Sequence, residues 1–275
     1  MFRVATSIKI VVNKVLIRAG ELRLVVDGGL GAHIREFSYA GENVLAGLGQ
    51  PDILGSDFKI SPRDLWTMSS AELLNKKPYE IRVKGKRVSL TSPFDTKLGV
   101  QIEKSFKPTP LGDGIVVTYR IQNISRQLIK VAPGEVSRVK MGLTFFSSMD
   151  DAAQSSLQLQ KAAGLYWYQG EGEQVHTTPL HSVKTNLNQG WLAHADKSTG
   201  LLFVKRFMDV AKTDLAPGES ELVIAADQQG RFIQLEGQGV YQSLAPGASA
   251  SWSVIWYLVP LETTHVLVQD QSLLD

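Results

Sequence analysis

The sequence contains no cysteine, so disulfide bonds, thiolate metal sites and cysteine nucleophiles are all excluded. No segment approaches the roughly 18 consecutive apolar residues that a membrane-spanning helix needs. The apolar run near the N-terminus, Ile8 to Val12, is interrupted by Lys9 and is too short for the core of a signal peptide. We therefore expect a cytoplasmic protein, unless a leader was removed from the chain.

A concentrated basic patch is also lacking. The chain has 29 Lys and Arg against 27 Asp and Glu, which gives a formal net charge of +2. The densest basic run, Lys84 to Arg87, lies between two apolar runs and is typical of a hairpin turn. Nucleic acids and anionic membranes bind to concentrated basic surfaces, so we expect neither as a partner. The sequence does not indicate an oligomeric state.

Helix-forming patterns are scarce. The best candidate runs from Asp150 to Ala163, with Asp150 as N-cap and Gly164 as stop, although the alternation of Leu157 and Leu159 fits a loop and a strand nearly as well. Ala71 to Lys76 predicts a single helical turn. Most of the remaining chain consists of short alternating strands separated by Gly, Pro, Asn and Asp, which predicts an all-β antiparallel sandwich. No linker or repeat divides the sequence, so we predict one domain over residues 1–275.

The segment from Ile233 to Leu261 holds the most informative residue. Glu236 is the one acidic residue on a largely apolar strand, and we interpret it as an interruption of the period-two alternation. An unpaired buried charge is costly, so Glu236 is expected to meet either an ion-pair partner or a ligand. Gln238 follows two residues later and is predicted to lie on the same face of the strand.

Two other segments supply candidate binding residues. Arg63 and Trp66 share a loop, where the guanidinium can grip hydroxyl groups and the indole can stack on a sugar ring. Glu135 and Arg138 are three residues apart, so they point to opposite faces of a strand unless a bulge near Gly134 brings them together. For every candidate, an ordinary structural role is the alternative.

No cofactor or metal is expected. No histidine pair has the spacing of a zinc site, and His33 and His194 each lie in an alternating strand, where a buried neutral imidazole is common. The step from Gly237 to Gly239 lacks the third glycine and the following helix of a dinucleotide-binding loop.

Six segments in order resemble the galactose-mutarotase-like superfamily, and more closely an uncharacterised bacterial family within it that is defined by sequence alone. They span about Val15 to Leu261. The segments are Gly31 to Leu45, Ser61 to Met68, Leu90 to Phe106, Tyr119 to Val139, Gly190 to Phe207 and Ile233 to Leu261. The resemblance implies a single large antiparallel supersandwich with a concave carbohydrate-binding face.

The resemblance also implies a chemistry. Aldose epimerases open and reclose a sugar ring with a glutamate general base and a histidine general acid. The sequence Leu235-Glu236-Gly237-Gln238 resembles the segment that contains the general base of these epimerases. The resemblance therefore implies that Glu236 is the catalytic residue. With Glu236, the candidate binding residues Arg63, Trp66, Glu135, Arg138 and Gln238 come from three distant segments, and the implied fold predicts that at least four of these six line one concave surface. Where those epimerases carry the acid, this chain reads Pro133 to Arg138 and has no histidine.

Three functions therefore remain open. The first is a carbohydrate-binding protein with aldose epimerase-like isomerase chemistry at Glu236. The second is a non-catalytic sugar-binding or interaction module. The third is a relative of polysaccharide lyases or hydrolases, which use sandwiches of this type. A His or Tyr opposite Glu236 favours an enzyme, whereas a cleft lined by aromatic residues and Arg favours a binding protein.

Overall fold

The computed structural model describes residues 4–47, 53, 55–149, 155–170 and 181–261. About 58% of the described residues are in strands and 7% are in helices. The strands form two large antiparallel sheets, so the all-β prediction is confirmed. Among the helices of the described ranges, none is long and apolar enough to cross a membrane.

The first sheet has eleven strands. They are β1 (Thr6–Val11), β2 (Lys14–Ala19), β3 (Leu22–Asp27), β4 (His33–Tyr39), β5 (Glu42–Asn43), β6 (Ser56–Ser61), β11 (Ile129–Val139), β15 (His181–Thr185), β18 (Leu222–Ala226), β19 (Ile233–Gln238) and β20 (Gln242–Leu244). The main path runs β1-β2-β3-β4-β6-β11-β19-β18-β15, while β5 pairs with β4 and β20 pairs with β11.

The second sheet has ten strands. They are β7 (Glu80–Lys84), β8 (Arg87–Thr91), β9 (Val100–Pro108), β10 (Gly114–Asn123), β12 (Leu143–Ser148), β13 (Gln160–Ala162), β14 (Leu165–Gln169), β16 (Leu187–Asp196), β17 (Leu201–Phe207) and β21 (Ser249–Pro260). Their order is β13-β14-β12-β16-β17-β21-β10-β9-β8-β7.

The core lies between the two sheets. Alternate residues of β21 point inward, so that Trp252 and Trp256 are both buried on the same face. The Trp256 ring packs edge-on against Phe37 of β4, with 5.5 Å between the ring centroids. This contact between strands of different sheets shows the interdigitation typical of a sandwich core.

Helical structure is limited to one α-helix, α1 (Met68–Lys76), and two short 3-10 turns, Arg63–Leu65 and Lys212–Asp214, within the described ranges. The helix begins before the predicted turn because the Thr67 hydroxyl accepts a hydrogen bond from the backbone N–H of Ser70.

The helix predicted from Asp150 to Ala163 is wrong where it can be judged. Gln160–Ala162 forms β13, residues 155–159 are not helical, and residues 150–154 lie outside the described ranges. The alternation of Leu157 and Leu159 was the better signal, because a period of two belongs to extended backbone.

Strands β6, β11 and β19 lie side by side in the first sheet, and their register places the candidate site. Val136 on β11 is paired with Asp57 on β6 and with Glu236 on β19. Leu235 points into the core and Glu236 points to the outer face. The interpretation of Glu236 as an interruption of the alternation is therefore wrong, since the residue keeps the period of its strand.

Candidate ligand-binding site

A cavity of about 630 Å³ opens on the outer face of the first sheet, away from the second sheet. Its floor comes from the outward-facing residues of β6, β11, β19 and β18. Its walls come from two loop segments, residues 62–66 and 217–220, together with Asn75 of α1. A cavity of this size, with a few converging polar groups, is typical of a small-molecule site.

Glu236 lies on the floor of this cavity, in an ion pair. Lys59 Nζ on β6 is 2.8 Å from Glu236 Oε2, and Gln234 donates its side-chain N–H to the other carboxylate oxygen at 2.5 Å. Burial raises the pKa of the Glu236 carboxyl, but Lys59, Arg63 and Gln234 together outweigh it and hold that pKa below its usual value. Glu236 is therefore a stable carboxylate that accepts hydrogen bonds.

Gly134 makes the Lys59–Glu236 contact possible. The stem of Lys59 runs over this glycine of β11 towards β19, and a Cβ atom on Gly134 would lie 3.0 Å from both Cγ and Cε of Lys59. The same Cβ atom would lie 2.8 Å from the backbone oxygen of Gly237, so a side chain at this position would crowd both the lysine stem and strand β19. Gly134 thus allows a cation on β6 to reach across β11 to a carboxylate on β19.

Asp57 lies on the same floor, and Arg138 is its cationic partner. Arg138 Nη1 is 3.4 Å from Asp57 Oδ2. Behind Asp57, His33 Nε2 donates a hydrogen bond to the backbone carbonyl of Asn75 at 2.7 Å, and its Nδ1 is 3.9 Å from Asp57 Oδ2. Burial lowers the pKa of His33 to about 4, so the imidazole is neutral near pH 7. Arg138, not His33, therefore neutralises Asp57.

Arg63 and Trp66 line the wall of the cavity. Arg63 begins the 3-10 turn, where its backbone N–H donates to the Glu219 carboxylate of the opposite loop. The Trp66 ring packs edge-on against Phe58, with ring centroids 6.2 Å apart. One edge of the indole is fixed by the core in this way, while part of the side chain remains accessible from the cavity.

Four of the six predicted site residues therefore line one cavity, although they come from three distant segments of the sequence. These four are Arg63, Trp66, Arg138 and Glu236. The other two, Glu135 and Gln238, do not line it.

Glu135 lies on the opposite face of β11, inside the sandwich. Its carboxylate is 2.6 Å from Lys205 Nζ and accepts hydrogen bonds from Tyr119 Oη at 2.6 Å and from Trp256 Nε1 at 3.3 Å. No bulge occurs near Gly134, because β11 keeps an unbroken register with β6 and β19. Glu135 is 1% exposed, and this corrects the expectation that it contacts a ligand.

Gln238 points to the same face as Glu236 but is covered. Its side-chain N–H donates to the backbone carbonyl of Ser220 at 2.7 Å, in the loop that forms one wall of the cavity. The side chain is fully buried. Gln238 therefore supports the wall, and the expectation of direct ligand contact is corrected.

Sequence reasoning missed Asp57. The signal was the strand pattern of Ser56–Ser61, in which Phe58 and Ile60 are apolar and the residues between them must face outward. The alternation gives the face of Asp57, but its position beside Val136 and Glu236 follows from strand pairing, which local sequence does not show.

The cavity has no histidine or tyrosine among the described residues that line it. The described ranges also contain no cluster of three or more His, Cys, Asp or Glu residues that could hold a metal ion. The polar groups that the first sheet presents to the cavity are two carboxylates, their cationic partners, the Gln234 amide and the Lys184 ammonium of β15. This set provides hydrogen-bond donors and acceptors for a ligand with several hydroxyl groups.

The fold is that of galactose-mutarotase-like proteins. The chain matches a putative aldose 1-epimerase from Klebsiella pneumoniae with a TM-score of 0.64 and 12% identity, over 94% of this chain and 83% of that one. It matches the Slr1438 protein from Synechocystis with a TM-score of 0.58 and 15% identity, over 94% and 97% of the two chains. A galactose mutarotase-like protein from Clostridium acetobutylicum gives 0.56 and 13%, over 94% and 99%.

These similarities show the fold alone, because all three identities are low. No family model matches the sequence, and no curated protein matches it either. The closer resemblance to one uncharacterised bacterial family stays a prediction, whereas the solved structures confirm the fold that the resemblance to the superfamily implies.

Proposed function

We propose that this protein binds a carbohydrate in the cavity of the first sheet and does not open the sugar ring. The observation that carries the proposal is the convergence of Arg63, Trp66, Arg138 and Glu236 on one cavity of about 630 Å³. Carboxylates and guanidinium groups hydrogen-bond to hydroxyls, and an indole edge provides an apolar contact for a ring. Similar proteins named as mutarotases and epimerases support the choice of a sugar as the ligand.

Two features oppose ring-opening catalysis. Proton transfer to the ring oxygen needs a general acid within hydrogen-bond reach of the sugar, and the described lining has no histidine or tyrosine to supply it. The lowered pKa of Glu236 also makes its carboxylate a weaker base than a general base poised near pH 7.

Binding can be tested by isothermal titration calorimetry and thermal shift against neutral monosaccharides, uronic acids and sugar phosphates. At least one sugar is expected to raise the melting temperature, because a ligand of the folded state stabilises it. Glu236→Gln should weaken that binding at least tenfold, whereas Glu103→Gln on β9 of the second sheet is the matched control and should not.

Catalysis is tested on the same samples by polarimetry of freshly dissolved aldoses. The unaltered protein is expected to leave the rate of mutarotation at that of buffer. Acceleration that is lost in Glu236→Gln would contradict a purely binding role. Absence of binding to every sugar in the panel would remove the proposed function.

A further inference from the structure

The floor of the cavity has a regular arrangement around Val136. Strand pairing puts Asp57 on one side of it and Glu236 on the other, in a single row across three strands. Arg138 lies two residues further along β11, and Gly134 lies two residues before it with the stem of Lys59 above it. Val136 is thus surrounded by four charged side chains, which we call the charged frame: Asp57, Arg138, Glu236 and Lys59.

The frame consists of two ion pairs, and each carboxylate has its own cation. Arg138 Nη1 is 3.4 Å from Asp57, and Lys59 Nζ is 2.8 Å from Glu236. The four charges sum to zero. An anionic ligand group placed between the two carboxylates would be repelled by both, whereas neutral hydroxyl groups can donate to them without loss of charge balance.

The strand spacing leaves room for one ring between Asp57 and Glu236. Neighbouring strands lie about 4.8 Å apart, so the Cα atoms of Asp57 and Glu236, two strands apart, are separated by about 10 Å. Val136 between them presents only carbon atoms to the cavity, which suits the apolar face of a sugar ring.

We propose that Asp57 is the second anchoring carboxylate of the site, facing Glu236 across Val136, and that the pair holds opposite edges of one neutral sugar ring. This inference rests on the proposed function and adds a residue that neither the sequence motifs nor the resemblance indicates. Arg138 is a positioning residue, because it fixes the Asp57 carboxylate. Because His33 behind Asp57 is neutral, Arg138 is the group that balances the negative charge of Asp57.

The test compares Asp57→Asn and Glu236→Gln by calorimetry, with D-glucose, D-galactose and their single-position deoxy analogues as probes. Each variant is expected to bind the better of the two sugars at least tenfold more weakly than the unaltered protein. Each should also become indifferent to the loss of one hydroxyl that matters to the unaltered protein. The two hydroxyls identified in this way should lie on opposite edges of the ring.

Two further variants control the experiment. Glu103→Gln removes a carboxylate from β9 of the second sheet, outside the cavity, and should change affinity less than twofold. Val136→Phe leaves every charge in place but fills the floor between the carboxylates, so it should abolish binding. Melting temperatures confirm that each variant is folded, and Val136→Phe tests the arrangement even if Asp57→Asn does not fold.

Three results would overturn the inference. They are an Asp57→Asn variant that binds within twofold of the unaltered protein, one that stays sensitive to every deoxygenation, and a Val136→Phe variant with full affinity. In each case the unaltered protein still binds sugar, so the proposed function stands. Failure of the unaltered protein to bind any of the sugars would instead refute the proposed function, and this inference with it.

Discussion

Two ion pairs with similar distances occupy opposite faces of the first sheet. Glu135 on β11 meets Lys205 at 2.6 Å inside the sandwich, and Glu236 on β19 meets Lys59 at 2.8 Å on the cavity floor. The inner side chains are 1% and 2% exposed, whereas the outer ones are 13% and 17% exposed. Burial lowers the pKa of Lys205, which shows how costly its isolation from water is.

This difference in exposure separates a pair that stabilises the fold, the inner one, from a pair that lines the candidate site, the outer one. Tyr119 and Trp256 hydrogen-bond to Glu135, so the inner pair is embedded in a closed polar network with no space for a ligand. The outer pair borders a cavity and can exchange its partners with a bound molecule or with water. The same chemical contact is structural on one face and available for binding on the other.

Breaking the inner pair should give the largest loss in the free energy of unfolding. Glu135→Gln leaves the Lys205 ammonium buried without a counter-charge, and we expect a loss of about 3–5 kcal/mol in the free energy of unfolding. Urea denaturation monitored by tryptophan fluorescence measures it. Combining the change with Lys205→Met should recover part of the loss, because both charges are then removed. A loss below about 1 kcal/mol in the single variant would contradict this account of the inner pair.

The pH dependence of stability sharpens the comparison through Glu221, a buried carboxylate that contacts no cation among the described residues. The Glu221 carboxylate accepts hydrogen bonds from the backbone N–H groups of Leu187 and Val210, and burial raises its pKa to about 7. Between pH 4.5 and about 7 the folded state keeps a proton that the unfolded state releases. Glu221 therefore makes the free energy of unfolding fall as pH rises through this range.

The buried histidines act in the opposite direction. Burial lowers the pKa of His33 and His194 to about 4, so between pH 4 and 6.5 the unfolded state binds protons that the folded state does not, and stability rises with pH. In Glu221→Gln the opposing contribution of Glu221 is absent, so the free energy of unfolding should rise more steeply with pH. Denaturation midpoints at several pH values between 4 and 7 test the sign, and an unchanged slope in the variant would contradict it.

Breaking the outer pair should cost much less stability. In Glu236→Gln, the flexible stem of Lys59 can turn its ammonium towards water, so we expect a loss of about 1 kcal/mol in the free energy of unfolding. Sugar affinity should nevertheless fall at least tenfold. Glu236→Gln and Glu135→Gln make the same chemical change on opposite faces of the first sheet. Equal losses in the free energy of unfolding would contradict the proposed difference between the outer and inner pairs.

The last substitution, Lys59→Met, keeps the stem and removes the charge, and it tests the cause of the lowered pKa of Glu236. Without the ammonium, burial should dominate and the pKa of the Glu236 carboxyl should move upward. Carbon-detected NMR titration of the side-chain carboxyl follows it directly, with Gln234→Met as the control that removes a weaker partner. A pKa that stays below its usual value in Lys59→Met would show that Lys59 is not the main cause.

The fold was predictable because its signals are local. Alternation over short segments and Gly- or Pro-containing turns indicate antiparallel strands wherever they occur, and Trp252 and Trp256 show their common face by spacing alone. The same rule states that Glu135 and Arg138 point to opposite faces. It does not state which of them is inside, because both are charged.

The site was less predictable because its geometry is non-local. Glu135 faces inward because Lys205 and Tyr119 come from strands of the other sheet to meet it. Gln238 has the predicted face but is covered by the loop at Ser220, a contact between segments that alternation does not describe. Asp57 was missed because its place beside Val136 depends on the pairing of β6 with β11.

The strict alternation along β6, β11 and β19 also bears on how the proposed ligand preference would change in a mutant library. The outward positions that border the cavity are Asp57, Lys59, Val136, Arg138, Gln234 and Glu236, and the inward positions between them carry the core contacts. Since each outward residue is flanked by inward ones, randomising the outward set leaves every core side chain of these strands unchanged. Substitutions at alternate positions of three short segments would therefore change the lining of the cavity, while the residues between them still form the core of the sandwich.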